Sequence, residues 1–352
     1  MGEATEYTRA KRKNKAIKIA ALSLLGLILL LILAAGLLFG SEIASLMTLH
    51  QIKDTELFTM EYKGDYGLDA LLRQGASTDG ELVTFVSRQL LRGIPLEIEL
   101  PDLSCSTFLA QTAEGDYLFG RNFDNYHTPV LLLTTKPENA YASLSVVNLA
   151  FIGYSSQYLP DEFLNRIPLL GAPFAPLDGV NEKGLAIGVL QINIEPTRQD
   201  TGKTKITTTS AIRMILDKAA NVEEALALLR QFDMRSSAGG CYHFQIVDAS
   251  GRSVVVEYIE DEMIVLEENY ATNFLLAPGD WYNVGGGQNR YEILARTLEE
   301  TKGILSEEQS MDLLEAVKQN STQWSVVYNT AKKTAAFCLH GDFENPYFFE
   351  LK

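Results

Sequence analysis

Several patterns that mark common enzyme types are missing from this chain. It has three cysteines in 352 residues, too few for a disulfide framework. Its four histidines (His50, His127, His243 and His340) are scattered, and there is no His-Glu-x-x-His, no Cys-x-x-Cys and no P-loop. A zinc site therefore has no support, and no cofactor is expected. Gly285-Gly286-Gly287 does not follow the Gly-x-Gly-x-x-Gly pattern after a strand, so it reads as a close backbone turn before a helix rather than a dinucleotide loop. No internal repeat of 20–50 residues is visible. A composition of 46% hydrophobic and 21% charged residues, with 26 Gly and 11 Pro, excludes collagen and a disordered tail. Positive charge is scarce over most of the length. The formal net charge of -15 resolves into +4 over residues 1–18, where Arg9, Lys11, Arg12, Lys13, Lys15 and Lys18 face only Glu3 and Glu6, and -19 over the remainder. A body that acidic repels phosphate backbones, so nucleic acid is not an expected partner.

What is present begins with residues 19–39, IAALSLLGLILLLILAAGLLF, a run of 21 residues without a charge. As a helix it extends about 31 Å, close to the hydrocarbon thickness of a bilayer. The basic cluster precedes it, so the positive-inside rule places the N-terminus in the cytoplasm and everything after residue 40 outside. A cleaved signal peptide is the competing reading, but its apolar run is usually about 7–15 residues. The expected organisation is a basic cytoplasmic tail (1–18), a single transmembrane anchor (19–39), an extracytoplasmic pro-segment or small subunit (40–104) and a catalytic domain (105–352).

Residues 41–104 are polar and mixed, with a helical apolar pattern over residues 81–91, then Gly93, Pro95 and a stop at Pro101. Beyond residue 104 the texture turns to β-rich alternation. Residues 105–112 and 117–122 flank a turn signal, Ala113-Glu114-Gly115-Asp116, and read as a β-hairpin. Residues 130–135, 142–154 and 185–194 are β-rich. Residues 209–220 and 222–232 read as amphipathic helices, the second with Asn221 as N-cap and Glu224 at the capping-box position. A second hairpin covers 242–247 and 253–258. A helix over 289–302 ends at Gly303, Ser306-Glu307-Glu308-Gln309 is a capping box opening another, and strands return at 323–328 and 333–339. Strands, helices and strands again indicate an α+β domain of layered sheets and helices.

One residue stands out for chemistry. Taken alone, Cys105 at the start of a strand is a small buried hydrophobe. Arg121 and Asp124, however, lie 16 and 19 residues later, at the end of the partner strand, and a hairpin returns that end to the first strand's start. A guanidinium beside a thiol favours the thiolate, and Asp124 can hold the arginine or an ammonium. Cys241 and Cys338 sit in apparent strands and read as buried free thiols, a disulfide in an oxidising exterior being the alternative.

The segment CSTFLAQTAEGDYLFGRNFD (residues 105–124) resembles the N-terminal hairpin of the choloylglycine hydrolase and linear-amide C–N hydrolase family. That family includes bile salt hydrolases, penicillin V acylases, acyltransferases of penicillin biosynthesis, and the acid ceramidase and N-acylethanolamine amidase branch. A second block, DGVNEKGLAIGV (178–189), is similar to the family's Asn-Glu-Lys-Gly-Leu motif. Weaker matches are Ala271-Thr272-Asn273, Gln288-Asn289-Arg290-Tyr291 and Trp324-Ser325-Val326-Val327-Tyr328. The resemblance implies a four-layer αββα N-terminal nucleophile hydrolase sandwich. It implies Cys105 as nucleophile with its own α-amine as base, since a free α-amine has a pKa of about 7.7–8.0. It implies that Asp124 orients the ammonium, that Arg121 supports the thiolate, that Asn181 and Asn273 bind the oxyanion and position substrate, and that Arg290 completes the charge network. Read from the residues alone, the competing roles are a turn residue before Glu182-Lys183-Gly184 for Asn181, where function is favoured, and a surface helix residue for Arg290.

Cys105 does not follow an initiator Met here, so this mechanism requires a cut at Ser104–Cys105. The expected function is a membrane-anchored, extracytoplasmic cysteine amidase or acylase acting on a small-molecule linear N-acyl amide of bile-salt, penicillin V, acyl homoserine lactone or fatty-acyl type. The membrane tether mildly favours an amphiphilic acyl group. Two other readings compete. One is a papain-like thiol peptidase with His243 as base, for which His243→Ala decides the matter: activity survives if the α-amine is the base. The other is a catalytically silent anchored ligand-binding module. Oligomeric state is open, a homo-oligomer included.

Overall fold

The computed structural model of the chain describes residues 2–91, 93 and 104–352. The elements before the nucleophile strand are α1 (Gly2–Leu46), β1 (His50–Gln51), β2 (Leu57–Tyr62), α2 (Leu68–Gln74) and α3 (Asp79–Gln89). The first half of the domain adds β3 (Ser104–Gln111), β4 (Tyr117–Asp124), β5 (Val130–Thr135), β6 (Ser143–Asn148), β7 (Pro176–Asn181), β8 (Ala186–Ile192) and β9 (Thr204–Thr207). Next come α4 (Thr208–Lys218), α5 (Val222–Leu229), β10 (Phe232–Arg235), β11 (Cys241–Val247), β12 (Ser253–Ile259) and β13 (Glu262–Leu266). The chain closes with β14 (Tyr270–Ala271), β15 (Asn273–Phe274), β16 (Gly285–Gly286), α6 (Gln288–Glu300), α7 (Glu307–Ala316), β17 (Thr322–Asn329), β18 (Thr334–Leu339) and β19 (Tyr347–Glu350).

Two large sheets form. One has nine strands in the order β1-β2-β5-β6-β7-β8-β11-β12-β13, the other six in the order β14-β3-β4-β17-β18-β19. Their facing side chains make one core: Phe119, Phe123, Trp324 and Val326 from the six-stranded sheet meet Leu132, Val146, Val180 and Leu190 from the other. Helices α4 and α5 lie on the outer face of the nine-stranded sheet, and Ile212, Ile215 and Leu226 join the same core. Helices α6 and α7 cover the six-stranded sheet, where Leu294, Leu298 and Leu314 pack on Phe108, Leu118 and Val327. Helix, sheet, sheet, helix is the layer order expected from the sequence. The capping box at Ser306 is formed, its hydroxyl accepting from Gln309 N and the Gln309 side chain returning to Ser306 N. Helix α5 ends at Leu229, short of the expected residue 232, because Phe232–Arg235 pairs in parallel with β9 instead.

The segment before residue 104 is no separate unit. β2 inserts between β1 and β5, pairing in parallel with β5 from Leu57↔Val130 to Tyr62↔Thr135. Leu46, Phe58, Met60, Tyr62 and Tyr66 bury themselves with Leu131, Leu133 and Phe174 in a second core. Gly93 is described, whereas the expected breaks at Pro95 and Pro101 lie outside the described residues. Among the described residues no helix is long and apolar enough to cross a membrane, which departs from the anchor expected over 19–39. That run lies within α1, but the side chains at 31, 32, 34, 35, 37 and 38 lie outside the described set. The helix leaves helical geometry at Phe39 (φ -131°, ψ 20°), at the end of the apolar run.

The N-terminal segment is tied to the domain by a buried polar contact as well as by packing. Tyr66 Oη donates to Asp217 Oδ2 at 2.5 Å, and Arg213 Nη2 is 2.7 Å from Asp217 Oδ1. Burial pushes the Asp217 carboxyl above its ordinary value, while the Arg213 guanidinium and the Tyr66 hydroxyl pull it back. Tyr66→Phe removes one donor from a buried carboxylate, so it is expected to cost about 1–3 kcal/mol in denaturant unfolding; a change within the error of the titration argues against the tie.

Candidate active site

The hairpin of β3 and β4 sets the site. Its register pairs Cys105 with Phe123, Thr107 with Arg121 and Leu109 with Phe119. Side chains alternate across a sheet, so these odd-numbered positions share the face turned to the nine-stranded sheet. Cys105 and Arg121 are diagonal neighbours there, within reach of a long side chain. Arg121 Nη2 lies 3.6 Å from Cys105 Sγ. Its Nε is 2.7 Å from Asp178 Oδ2, and its Nη1 donates to Val189 O at 2.6 Å. Asp178 also accepts from Tyr328 Oη at 2.5 Å and Trp324 Nε1 at 3.0 Å. Gly188 makes room for the guanidinium, since a Cβ there would stand 2.9 Å from Arg121 Nη1.

The even-numbered positions face α6 and α7. Ser104 stands opposite Asp124 in the register. Arg290, on α6, donates from Nη1 to Cys105 O at 2.5 Å and Ser106 Oγ at 2.6 Å. Its Nη2 donates to Asn273 Oδ1 at 2.8 Å, and the guanidinium lies 3.7 Å from Asp124 Oδ2. Asn273 Oδ1 also accepts the backbone N–H of Cys105 at 2.8 Å, while Asn273 Nδ2 donates to Gln191 O at 2.8 Å. Asp124 is held by Gln319 Nε2 at 2.6 Å and Thr322 Oγ1 at 2.5 Å. Cys105, Arg121, Asp124, Asn273 and Arg290 are thus brought together. Arg290 is buried, not a surface residue.

Asn181 does not join them. Its Oδ1 accepts the N–H groups of Lys183 and Leu185, closing the β7–β8 turn. Its Nδ2 donates to the carbonyls of Leu216 and Ala219 at the end of α4. All its bonding capacity is spent on backbone, so the turn reading describes it and the substrate-binding role implied by resemblance has no free group to perform it. Asp178, three residues earlier in the same motif, is the member that reaches the site.

The electrostatics are those of an intact chain. Ser104 and Cys105 run through one strand, and Cys105 is buried. Burial pushes its thiol up to about 11, with the Arg121 guanidinium pulling down and the Asp124 carboxylate adding to the rise. Burial also raises Asp124 and Asp178, against the hydrogen bonds and arginines around each. Burial lowers Arg290, against the attraction of Asp124 and Cys105. Cys241 and Cys338 are free and buried as read from the sequence.

His243 is a positioning residue rather than a base. It is fully buried on β11, with Nε2 2.7 Å from Thr272 O and Nδ1 3.2 Å from Glu257 Oε1. Thr272 O can only accept, so Nε2 must donate. Glu257 already accepts from Leu276 N at 2.8 Å and Ala277 N at 3.0 Å. Burial alone would raise its carboxyl, but these N–H groups and His243 outweigh that and hold it below the usual range. Both ring nitrogens of His243 are thus engaged, Nε2 by Thr272 O and Nδ1 by Glu257. The pair thereby clamps the backbone on either side of Asn273. With both nitrogens taken, His243 is not free to act as the base of a thiol peptidase.

The triple glycine, read as a plain turn, supports the same asparagine. Gly285 and Gly286 pair with Phe274 and Asn273. A Cβ on Gly285, where φ is +124°, would stand 2.2 Å from Asn273 O. At Gly287, the N-cap of α6, it would stand 2.5 Å from Arg290 Nη2.

Residues 111–345 match the family described as Acyl-coenzyme A:6-aminopenicillanic acid acyl-transferase. The chain belongs to that family. The resemblance read from residues 105–124 and 178–189 is thereby confirmed, although the match opens six residues after Cys105. Among curated proteins, this family member is 23% identical over 198 residues to a bile salt hydrolase/transferase of Clostridium perfringens (strain 13 / Type A). The alignment covers 51% of this chain and 55% of the relative, so the chain spans about half the length of the curated protein it matches. A crystal structure of a conjugated bile acid hydrolase from Clostridium perfringens superposes with a TM-score of 0.50 at 16% identity, over 70% of this chain and 92% of that one. At that identity the likeness speaks for the fold.

The sequence reading missed Asp178 as the partner of Arg121, Gln319 and Thr322 as the partners of Asp124, and the His243–Glu257 clamp. Two experiments follow. In the isolated uncleaved chain, alkylation of Cys105 by iodoacetamide is expected to be slower at pH 8 than in the urea-unfolded chain and to accelerate only as the pH nears 11. Because the fold binds this proton more tightly, stability is expected to fall as pH rises from the ordinary thiol value of 9.0 towards about 11. Fast alkylation at pH 8 in the folded uncleaved chain contradicts the buried thiol. Second, His243→Asn and Gly285→Ala are expected to lower turnover on an N-acyl amide by about 10- to 100-fold with KM little changed, through displaced Asn273; this replaces the surviving activity expected of a His243 variant from the sequence, and a loss of this size does not make the histidine the base. Full turnover by a folded His243→Asn protein rules the clamp out.

Proposed function

We propose that this chain is a cysteine amidase of the N-terminal nucleophile type, acting on the C–N bond of a small linear N-acyl amide. The observation that carries the reading is the treatment of one residue's sulfur and nitrogen. Cys105 Sγ faces a guanidinium at 3.6 Å, and Cys105 N is aimed at a side-chain acceptor, Asn273 Oδ1, at 2.8 Å. β14 pairs with β3 only at Phe108 and Thr107, so a side chain and not a neighbouring strand receives this N–H. Membership of the family and the hydrolase fold support the same reading.

The proposed maturation begins with the thiol of Cys105 attacking the carbonyl carbon of Ser104. The C–N bond of that peptide breaks, the nitrogen takes up the thiol proton, and Ser104 becomes a thioester on Sγ. Water hydrolyses the thioester, leaving a carboxylate on Ser104 and a free thiol and α-amine on Cys105. The α-amine is then the base. It takes the thiol proton as sulfur bonds to the substrate carbonyl, and gives it to the amine that departs as the C–N bond breaks. Water releases the acyl group from sulfur as a carboxylic acid. In this scheme Arg121 stabilises the thiolate, and Asn273 holds the amine in place. Asp124 balances the charge of its ammonium form, Arg290 completes the charge network beside Asp124, and freeing the terminus relieves the burial that holds the thiol protonated.

The enzyme is further proposed to sit at a membrane through residues 19–39, N-terminus inside and the sheets outside. Exposed Leu22, Leu24, Leu30 and Leu33 along α1 support this, as does the basic cluster before them. The N-terminal piece is proposed to stay bound after cleavage, because β2 lies inside the nine-stranded sheet.

The experiment is intact-mass and N-terminal analysis of the purified protein under native and denaturing conditions, with hydrolysis of an N-acyl amide panel. Expected are a chain beginning at Cys105, a smaller piece that co-purifies and separates only on denaturation, and no activity in Cys105→Ala. An uncut chain with Cys105-independent or absent hydrolysis refutes the amidase reading in favour of a silent binding module.

A further inference from the structure

Ser104 is the residue whose carbonyl the thiol attacks first, and its side chain is unusually well held. Its hydroxyl accepts from Gln319 Nε2 at 2.9 Å and Arg290 Nη2 at 3.2 Å. It donates to Asn273 Oδ1 at 3.1 Å. Two donors and one acceptor use the full capacity of one hydroxyl. The three groups come from α6, β15 and the segment after α7, so distant parts of the fold converge on one oxygen. They do so at the wall of a cavity of about 650 Å³. Ser104, Asn273, Arg290 and Gln319 line it together with Gln191 and Asn193. Carboxamides and charge dominate this lining, whereas small-molecule pockets are mostly apolar.

We propose that the place held by the Ser104 hydroxyl is the enzyme's acyl subsite, and that its substrates are N-acyl amides carrying a hydroxyl on the β-carbon of the acyl group. This rests on the amidase reading above. The geometric argument is that one thiol performs both attacks. The carbonyl it attacks must meet Cys105 Sγ from the same side in the precursor and in the substrate. The seryl group of the precursor is then a template for the acyl group. Its β-oxygen marks where a substrate β-oxygen finds Gln319, Arg290 and Asn273. An acyl group with a methyl at that position would leave two buried donors facing hydrocarbon, which is the arrangement that rejects an analogue most strongly.

The test uses the processed, full enzyme and two amides of one chromogenic amine: 3-hydroxypropanoyl and butanoyl, which differ only in an oxygen for a methyl at the γ-atom. Expected is a kcat/KM at least about tenfold higher for the hydroxylated amide. Gln319→Leu is expected to collapse that ratio to within about twofold. Because the ratio is internal to each variant, the part Gln319 plays in holding Asp124 cancels. Gln319→Met serves if the leucine variant does not process. Equal rates in the parent, a preference for butanoyl, or an unchanged ratio in the variant overturns the subsite. So does a cut, active enzyme that hydrolyses other acyl amides but neither of these two. An uncut chain, or one inactive on every acyl amide, instead removes the amidase reading itself.

Discussion

A guanidinium buried between two sheets is tolerable only if its charge is met and its donors are used. Arg121 meets its charge by reaching across the core from β4 to the carboxylate of Asp178 on β7, and its Nη1 and Nη2 are taken by Val189 O and Cys105 Sγ. Asp178 is itself held by Trp324 and Tyr328 on β17. Three side chains from both sheets, Asp178, Trp324 and Tyr328, therefore fix one cation, and that cation fixes the environment of Cys105 Sγ. Remove the carboxylate and the charge has no counter-ion inside the core; replace Gly188 and it has no room. The sulfur's position is in this sense a property of the sheet-to-sheet interface and not of the hairpin alone.

The opposite face of the same hairpin carries a second system with a different purpose. Arg290, Asn273 and Gln319 engage the backbone and hydroxyl groups around residues 104–106, Thr322 holds Asp124, and behind them His243 and Glu257 pin the strand that presents Asn273. The two faces meet at a single residue. Cys105 turns its side chain to one face, while its backbone N–H points sideways in the sheet plane to Asn273, past the end of β14, so the sulfur and the nitrogen are handled by different groups.

What the sequence disclosed follows from how far apart the partners lie. The β3–β4 hairpin, the capping box at Ser306, the N-cap at Asn221 and the strand–helix order are local, and turn chemistry and periodicity expose them. Cys105, Arg121 and Asp124 were readable because a hairpin's geometry is short-range. Asn273 and Arg290 were accessible only through likeness to a family. The partners of Asp124, at positions 319 and 322, stand almost two hundred residues away, and nothing in a local window relates them. Asn181 misled for the converse reason: it sits in a recognisable motif, but its carboxamide serves a turn and a helix end. The N-terminal strand was hidden because parallel pairing of residues 57–62 with 130–135 leaves no local signature.

That parallel strand has a bearing on how the molecule is made. β2 occupies an interior lane of the larger sheet, flanked on both sides, and its neighbour β5 lies beyond the residue where maturation would sever the polypeptide. While the chain is whole, threading that lane is an intramolecular event with a modest loop-closure entropy. Once severed, the two pieces could regain the same arrangement only by encounter in solution, with translational freedom lost and a rate set by their concentration. Assembly would then be a one-way passage: a covalent precursor writes an architecture that its own products would struggle to write again.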